Sequence, residues 1–212
     1  MGLLRHFKEV YLNPKSSGAN TEKSRFFSKS LTENLEYFKR EFNDTIDLSI
    51  KYIDISGVNS AIITISGMIS KDTFTQSVMN PIINSKIVGN TSKEKYEYIR
   101  DNVVIACDQV QISTFEEAFN AIMSGFALFA MDGCDCMISL GVQGFPFRSV
   151  SEPSSEIMQR GSREGFVEPL MINTTLIRRR LKSPNLKFET MQIGSVSKTS
   201  ICLCYLVDKV SS

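Results

Sequence analysis

Apolar positions fall into two periods along this chain, one helical and one of alternating strand type, and the two kinds of segment are interleaved. Ser30 opens SLTE, where Ser30 and Glu33 can each satisfy an end-of-helix amide; Leu31, Leu35, Phe38 and Phe42 follow at helical spacing, predicting a helix to about Asn43. Ile46, Leu48, Ile50 and Tyr52 then alternate with Asp47, Ser49 and Lys51, the period of a strand with one wet face. Gly57 separates that strand from the more continuously apolar AIITI ending at Ile65, and an antiparallel pair is expected. Asp72 stands where it can cap a helix carrying Phe74, Val78 and Ile82, which Pro81 must bend or end. Another helical segment covers 92–102, and a short strand is expected to begin at Val103. STFE at Ser113 is a second capping box, ahead of Phe115, Ala118, Phe119 and Ile122, with a stop near Gly125. ALFAMDGCDCMISLGV reads as two buried strands joined at Asp132-Gly133.

The polar, Pro- and Ser-containing stretch 13–29 predicts a flexible arm, and 143–163 changes character again with prolines, glycines and serines. Beyond it, Val167, Leu170, Thr174, Ile177 and Leu181 give a helical stripe, Pro184 follows, and two strands close into a hairpin at Gly194-Ser195. The expected fold class is α/β: a mixed β-sheet with flanking helices, followed by a smaller, incomplete α/β subdomain. The expected boundaries are an arm over 1–29, a first subdomain over 30–145, a connector over 146–162 and the start of a second subdomain over 163–212.

A net charge of +1 supplies no global pull toward nucleic acid or acidic lipid, so nucleic acid is not an expected partner. Five cysteines, an odd number, and a start without a secretory leader favour a reducing compartment. Leu3, Leu4, Phe7, Val10 and Tyr11 can share one face of a short helix suited to packing or to weak membrane attachment. FALFAM is too short to cross a bilayer. His6 is the one histidine, which argues against a Ser-His-Asp triad or a histidine metal site, and no pair of carboxylates is set as a facing dyad. The pairs Cys134, Cys136 and Cys202, Cys204 lack the usual structural-zinc spacing, and cysteines in an apolar strand behave as small hydrophobes. No catalytic residue, cofactor or metal is therefore expected. RGSREG, starting at Arg160, has the glycines of an anion-binding turn but no nucleotide fingerprint, and Arg160, Arg163, Glu164 and Glu168 can instead pair with one another. The arginines 178–180 and Lys182 lie near a helix C-terminus, where the macrodipole favours them and where one or two can pair across an interface.

RGSREGFVEPLMINTTLIRRR and the SKT of the last hairpin, together with ISLGVQGFPFRSVSEPSSE, closely resemble the signature of A subunits of GerA-type spore germinant receptors. That signature reads RGPREGFVE, an Asn-Thr-x-Leu-Ile-Arg-Arg-Arg helix and a Ser-Lys-Thr strand. The resemblance is specific over 125–207 and looser over 47–124. It implies a non-enzymatic receptor component with a soluble region of two α/β subdomains, then membrane helices, partnered by B and C subunits and by other A subunits in a nutrient-responsive, ion-conducting complex. It implies a spore inner-membrane location with the soluble part facing the spore interior. The chain stops at Ser212 before the membrane helices, so it is expected to be a piece of such a subunit, and Ser162 and Pro169 depart from the pattern. Under this resemblance Arg160, Gly161, Arg163, Glu164, Gly165 and Glu168 form a charged junction, with Asn173 and Arg178 as polar anchors along the following helix. The competing expectation is a soluble α/β domain that binds a small molecule at strand ends or in an interdomain crevice.

Overall fold

The computed structural model describes residues 25–104, 108–144 and 165–210. The N-terminal amphipathic stretch, the connector and the charged run through Arg160, Gly161, Arg163 and Glu164 lie outside the described residues.

Helix α1 spans Leu31–Glu41 and starts at Ser30, whose hydroxyl accepts from the Glu33 amide. Strands β1 (Leu48–Ile55) and β2 (Val58–Ile65) pair antiparallel through a turn with Gly57 at positive φ. Helix α2 runs from Lys71–Phe74 through a π-turn at Thr75–Met79 into Asn80–Asn84. The widened turn precedes Pro81, which lacks an amide proton and crowds the turn before it, so the chain bends rather than stops. Ser70 caps α2, not Asp72, because the serine hydroxyl reaches the Thr73 amide from an extended backbone while Asp72 is already in the first turn.

Helix α3 (Ser92–Tyr98) continues as a π-turn through Ile99–Val103, so Val103 ends a helix where a strand was expected. Val103 and Ile99 are buried on one helical face, and their packing decides the local conformation over β-propensity. Strand β3 is Gln109–Ile112, and helix α4 is Phe115–Ile122. The capping box of α4 is formed by Thr114 and Glu117, one residue later than the Ser113 pairing, although the Ser113 amide also donates to Glu117. Strands β4 (Ala127–Met131) and β5 (Met137–Leu140) form the expected fully buried hairpin.

The five strands make one sheet in the order β1-β2-β4-β5-β3. The helix-strand mixture agrees with expectation, but every pairing is antiparallel where mixed strand directions were expected. The strand period sorts side chains to two cores. Ala61, Ile63, Leu128 and Ala130 face α1 and α4, where Phe38, Phe42, Phe115 and Phe119 interlock. Ile62, Phe129, Ile138 and Leu140 face α2 and α3. Phe27, assigned by composition to the arm, is buried in the first core, and its amide donates to the Ser113 carbonyl.

Helix α5 spans Leu170–Arg180, and strands β6 (Leu186–Ile193) and β7 (Thr199–Leu206) form a separate two-stranded sheet. Gly194 at positive φ opens a loop that returns at Thr199, longer than a two-residue turn. The far end of this hairpin is exposed, with Val196 94% accessible, whereas Leu186 and Phe188 at its base are buried.

Candidate functional site

Helix α5 enters without a side-chain cap, since Pro169 occupies the N-cap position. Proline is tolerated there because the first amides have no intrahelical partner in any case. Asn173 compensates by reaching backwards: its Oδ1 accepts from the Val167 amide at 2.8 Å and its Nδ2 donates to the Val167 carbonyl at 2.7 Å. Gly165 is half-buried and Glu168 is exposed just before this entry.

One turn further on, the buried residues of α5 are Thr174, Thr175, Leu176 and Arg178, a polar set for a helix that packs on a protein body. The reason lies at Arg178, whose side chain is 0% exposed. Its Nε donates to Asp47 Oδ2 at 2.8 Å and its Nη2 to Asp47 Oδ1 at 2.9 Å, the two-pronged geometry that a planar guanidinium makes with a carboxylate. Nη2 also donates to the Leu186 carbonyl and Nη1 to the Ser183 carbonyl, each at 2.9 Å. The guanidinium carbon lies 5.0 Å from the centre of the Phe188 ring, within cation-π range.

Asp47 is held in turn. Thr45 Oγ1 donates to Asp47 Oδ1 at 2.7 Å and accepts from the Phe188 amide at 3.0 Å. A closed circuit results: the turn between α1 and β1 supplies Thr45 and Asp47, α5 supplies Arg178, and the base of β6 supplies the Leu186 carbonyl and the Phe188 amide. A buried ion pair is tolerable only when its charges and its remaining hydrogen-bonding capacity are matched, and both conditions hold here. Asp47 was expected on a wet strand face. It lies instead just ahead of β1, beyond the strict alternation, and turns inward.

Two further contacts fasten α5 and the segment after it to the first body. Gly67 sits at positive φ, and a Cβ there would collide with the Thr175 hydroxyl, so helix and loop approach as closely as glycine permits. Lys182 Nζ donates to Ser124 Oγ at 3.2 Å. The void beside the circuit, lined by Leu170, Thr174 and Phe188 among others, measures about 60 Å³, well below the size of a ligand pocket.

The residues expected from sequence thus separate. Asn173 closes the helix entry and Arg178 centres the buried circuit, whereas the circuit does not include Gly165 or Glu168. Thr45 and Asp47 were missed as site residues. Cys134 and Cys136 lie in the β4–β5 connection and Cys202 and Cys204 on β7, and among the described residues no three His, Cys, Asp or Glu side chains converge as a metal site. Burial pushes the Cys134 thiol up to about 11. The geometry is that of a fastening between two sheets.

An antiparallel α/β body with a short helix-hairpin unit locked to it by one buried ion pair defines the class of scaffold. Residues 36–212 match the family model of the Bacillus/Clostridium GerA spore germination protein, and the chain belongs to that family. Spore germination protein KA of Bacillus subtilis (strain 168) is 33% identical over 188 residues, 87% of this chain and 34% of that protein. Spore germination protein GerLA of Bacillus cereus is 24% identical over 86% of this chain and 37% of its own length. The chain spans about a third of the length of these relatives. The crystal structure of the N-terminal domain of the A subunit of the Bacillus megaterium spore germinant receptor GerK3 shares the fold, with a TM-score of 0.68 at 21% identity, over 86% of this chain and 67% of that one. Among the described residues no helix is long and apolar enough to cross a membrane.

Proposed function

We propose that this chain is the soluble N-terminal part of a spore germinant receptor A subunit, taking part in nutrient-triggered germination through subunit assembly and transmission of a conformational bias to a membrane channel. In this reading it assembles with B and C subunits and with other A subunits, at the spore inner membrane, through membrane segments that lie outside this chain. It has no bond-making duty. The first subdomain occupies 30–145 and the second begins at 163, with 146–162 as connector.

The observation that carries the reading is the Asp47–Arg178 circuit. A buried two-pronged ion pair has a narrow geometric optimum, so displacing one sheet relative to the other strains it, and the two units move together. A joint of that kind lets a force applied at one unit reach the other. The same proposal assigns contacts with partner subunits to Arg160, Gly161, Arg163, Glu164, Gly165 and Glu168.

The test is made in spores carrying the full-length receptor. Asp47→Asn and Arg178→Lys are expected to slow nutrient-triggered germination, and Arg163→Gln or Glu164→Gln to impair assembly or response. Immunoblots of the receptor subunits separate loss of protein from loss of response. Normal abundance with normal germination in all four variants contradicts the proposal.

A further inference from the structure

The five-stranded sheet ends in two unlike edges, β1 and β3. Strand β3 has only four residues, and just past it the Phe27 amide donates to the Ser113 carbonyl and the Phe115 amide to the Arg25 carbonyl, so the chain covers part of that side itself. Strand β1 has eight residues, contains neither proline nor glycine, and pairs without a bulge from Leu48 opposite Ile65 to Ile55 opposite Val58. An open edge of that length is a template for further pairing, and proteins commonly blunt it with proline, a bulge or a covering segment. On β1 the sole charged side chains are Lys51 and Asp54.

The Ser66 amide donates to the Asp47 carbonyl at 2.7 Å, which fixes the alternation that follows: Ser49, Lys51 and Ile53 turn their backbone groups to β2, and Leu48, Ile50, Tyr52 and Asp54 turn theirs away from it. The Leu48 amide is taken by the Thr45 carbonyl. The amides of Ile50, Tyr52 and Asp54 have no protein partner among the described residues. A cleft flanks the edge on each face. One of about 280 Å³, on the α1 side, is lined by Lys39, Asp44, Leu48, Ile50 and Tyr52 among others. One of about 350 Å³, on the α2 side, is lined by Ile53, Met79, Ile82 and Ile83 among others. Tyr52 and Ile83 are 63% and 69% exposed. Unpaired main-chain groups between two clefts suit an added strand, whose backbone completes the ladder while its alternate side chains fill the two sides.

The edge is complementary to itself. A two-fold axis normal to the sheet keeps each face on its own side, so the outward-facing residues of one copy meet the outward-facing residues of the other. Centring the axis on Lys51 sets like charges opposite each other, and centring it on Ile53 carries Ile50 past the strand end to Ser56. Centring it on Tyr52 avoids both. Ile50 then pairs with Asp54 of the second copy, Tyr52 with its own counterpart, and Lys51 with Ile53. Every unpaired amide of the edge gains a carbonyl. Each Asp54 also comes opposite Ile50, in the wall of the cleft that holds Lys39, and the Lys39 ammonium forms no ion pair among the described residues. We propose that β1 is a homodimer contact, a second copy adding its own β1 antiparallel so that one sheet runs through both molecules. The inference does not depend on the receptor reading, because it concerns the chain alone.

The test is sedimentation velocity of the full chain from about 1 to 500 μM, with amide hydrogen exchange measured at both ends of that range. A reversible shift from 23.8 kDa to twice that mass is expected, with Kd on the order of 10–100 μM. Exchange at Ile50, Tyr52 and Asp54 should slow as concentration rises, and exchange at Val110 on the opposite edge should not. Tyr52→Lys, which sets two ammonium groups at the axis, should weaken the dimer at least about tenfold with Tm unchanged, whereas Val110→Lys leaves it intact. Lys39→Gln should weaken it about threefold in the wild-type background and have no effect in Asp54→Asn, which keeps an oxygen for the Gly57 amide. The proposal is overturned if the chain stays monomeric throughout, if Tyr52→Lys dimerises as wild type does, or if the concentration-dependent protection falls on β3 or on the β6–β7 hairpin instead.

Discussion

Replacing Arg178 with methionine keeps most of the side-chain volume but strands the Asp47 carboxylate in a buried site, along with the Ser183 and Leu186 carbonyls. Removing one partner of a buried ion pair costs about 3–5 kcal/mol, because the remaining charge has neither water nor counter-charge. For a chain of this length each kcal/mol corresponds to about 2–4 °C, so Tm should fall by roughly 6–20 °C. Asp47→Leu should cost a similar amount by the same route. In the double variant no charge is left stranded, and the remaining penalty is that of the two carbonyls and of the Thr45 hydroxyl, which loses one partner. The double variant should therefore be more stable than the summed single losses by about 3 kcal/mol or more. Urea unfolding followed by far-UV circular dichroism is the suitable assay, since the chain has no tryptophan. Losses that add to within about 0.5 kcal/mol would show that the two side chains are not energetically coupled, and the reasoning would fail.

Three other outcomes follow from the same structure. Gly67→Ala should destabilise by about 2–4 kcal/mol, from left-handed backbone strain and the collision with Thr175, and Thr175→Ala in that background should recover the collision part but not the strain. The carboxylate of Glu117 is held below its ordinary range by the Ser113 amide first and then by the Thr114 hydroxyl and amide. Its contribution is therefore complete above the unfolded glutamate value and is lost as pH falls through the lower folded value, so Glu117→Gln should differ less from wild type at acid pH than at neutrality. With its thiol raised to about 11, Cys134 should react with iodoacetamide near pH 8 about a hundredfold more slowly than an unperturbed cysteine of the unfolded chain; equal rates would contradict its burial.

The first body was legible because its cores repeat. Phe38 and Phe42 on α1, Phe115 and Ile122 on α4, and the alternation through β2 and β4 all face neighbours that their spacing anticipates. Boundaries failed where a single local contact decides them. Ser70 displaced Asp72, Thr114 displaced Ser113, and Val103 stayed helical because it packs beside Ile99. The joint was half legible. Arg178 stands out as an arginine on an apolar-striped helix, but its partner lies 131 residues earlier, and no local pattern links them. Asp47 even fits the strand alternation that assigns it to solvent. Only the tertiary approach of α5 and β6 reveals that its carboxylate turns inward.

The central claim is that the Asp47–Arg178 circuit fastens the helix-hairpin unit to the first body. Amide hydrogen exchange in wild type and in Asp47→Asn tests it most directly, because the Phe188 amide bonds to Thr45 within the circuit whereas Phe129 lies in the remote core of the sheet. The account predicts much faster exchange at Phe188 and its β6 neighbours in the variant, with Phe129 protected as before. Unchanged exchange at Phe188, or equal acceleration at both amides, would contradict it.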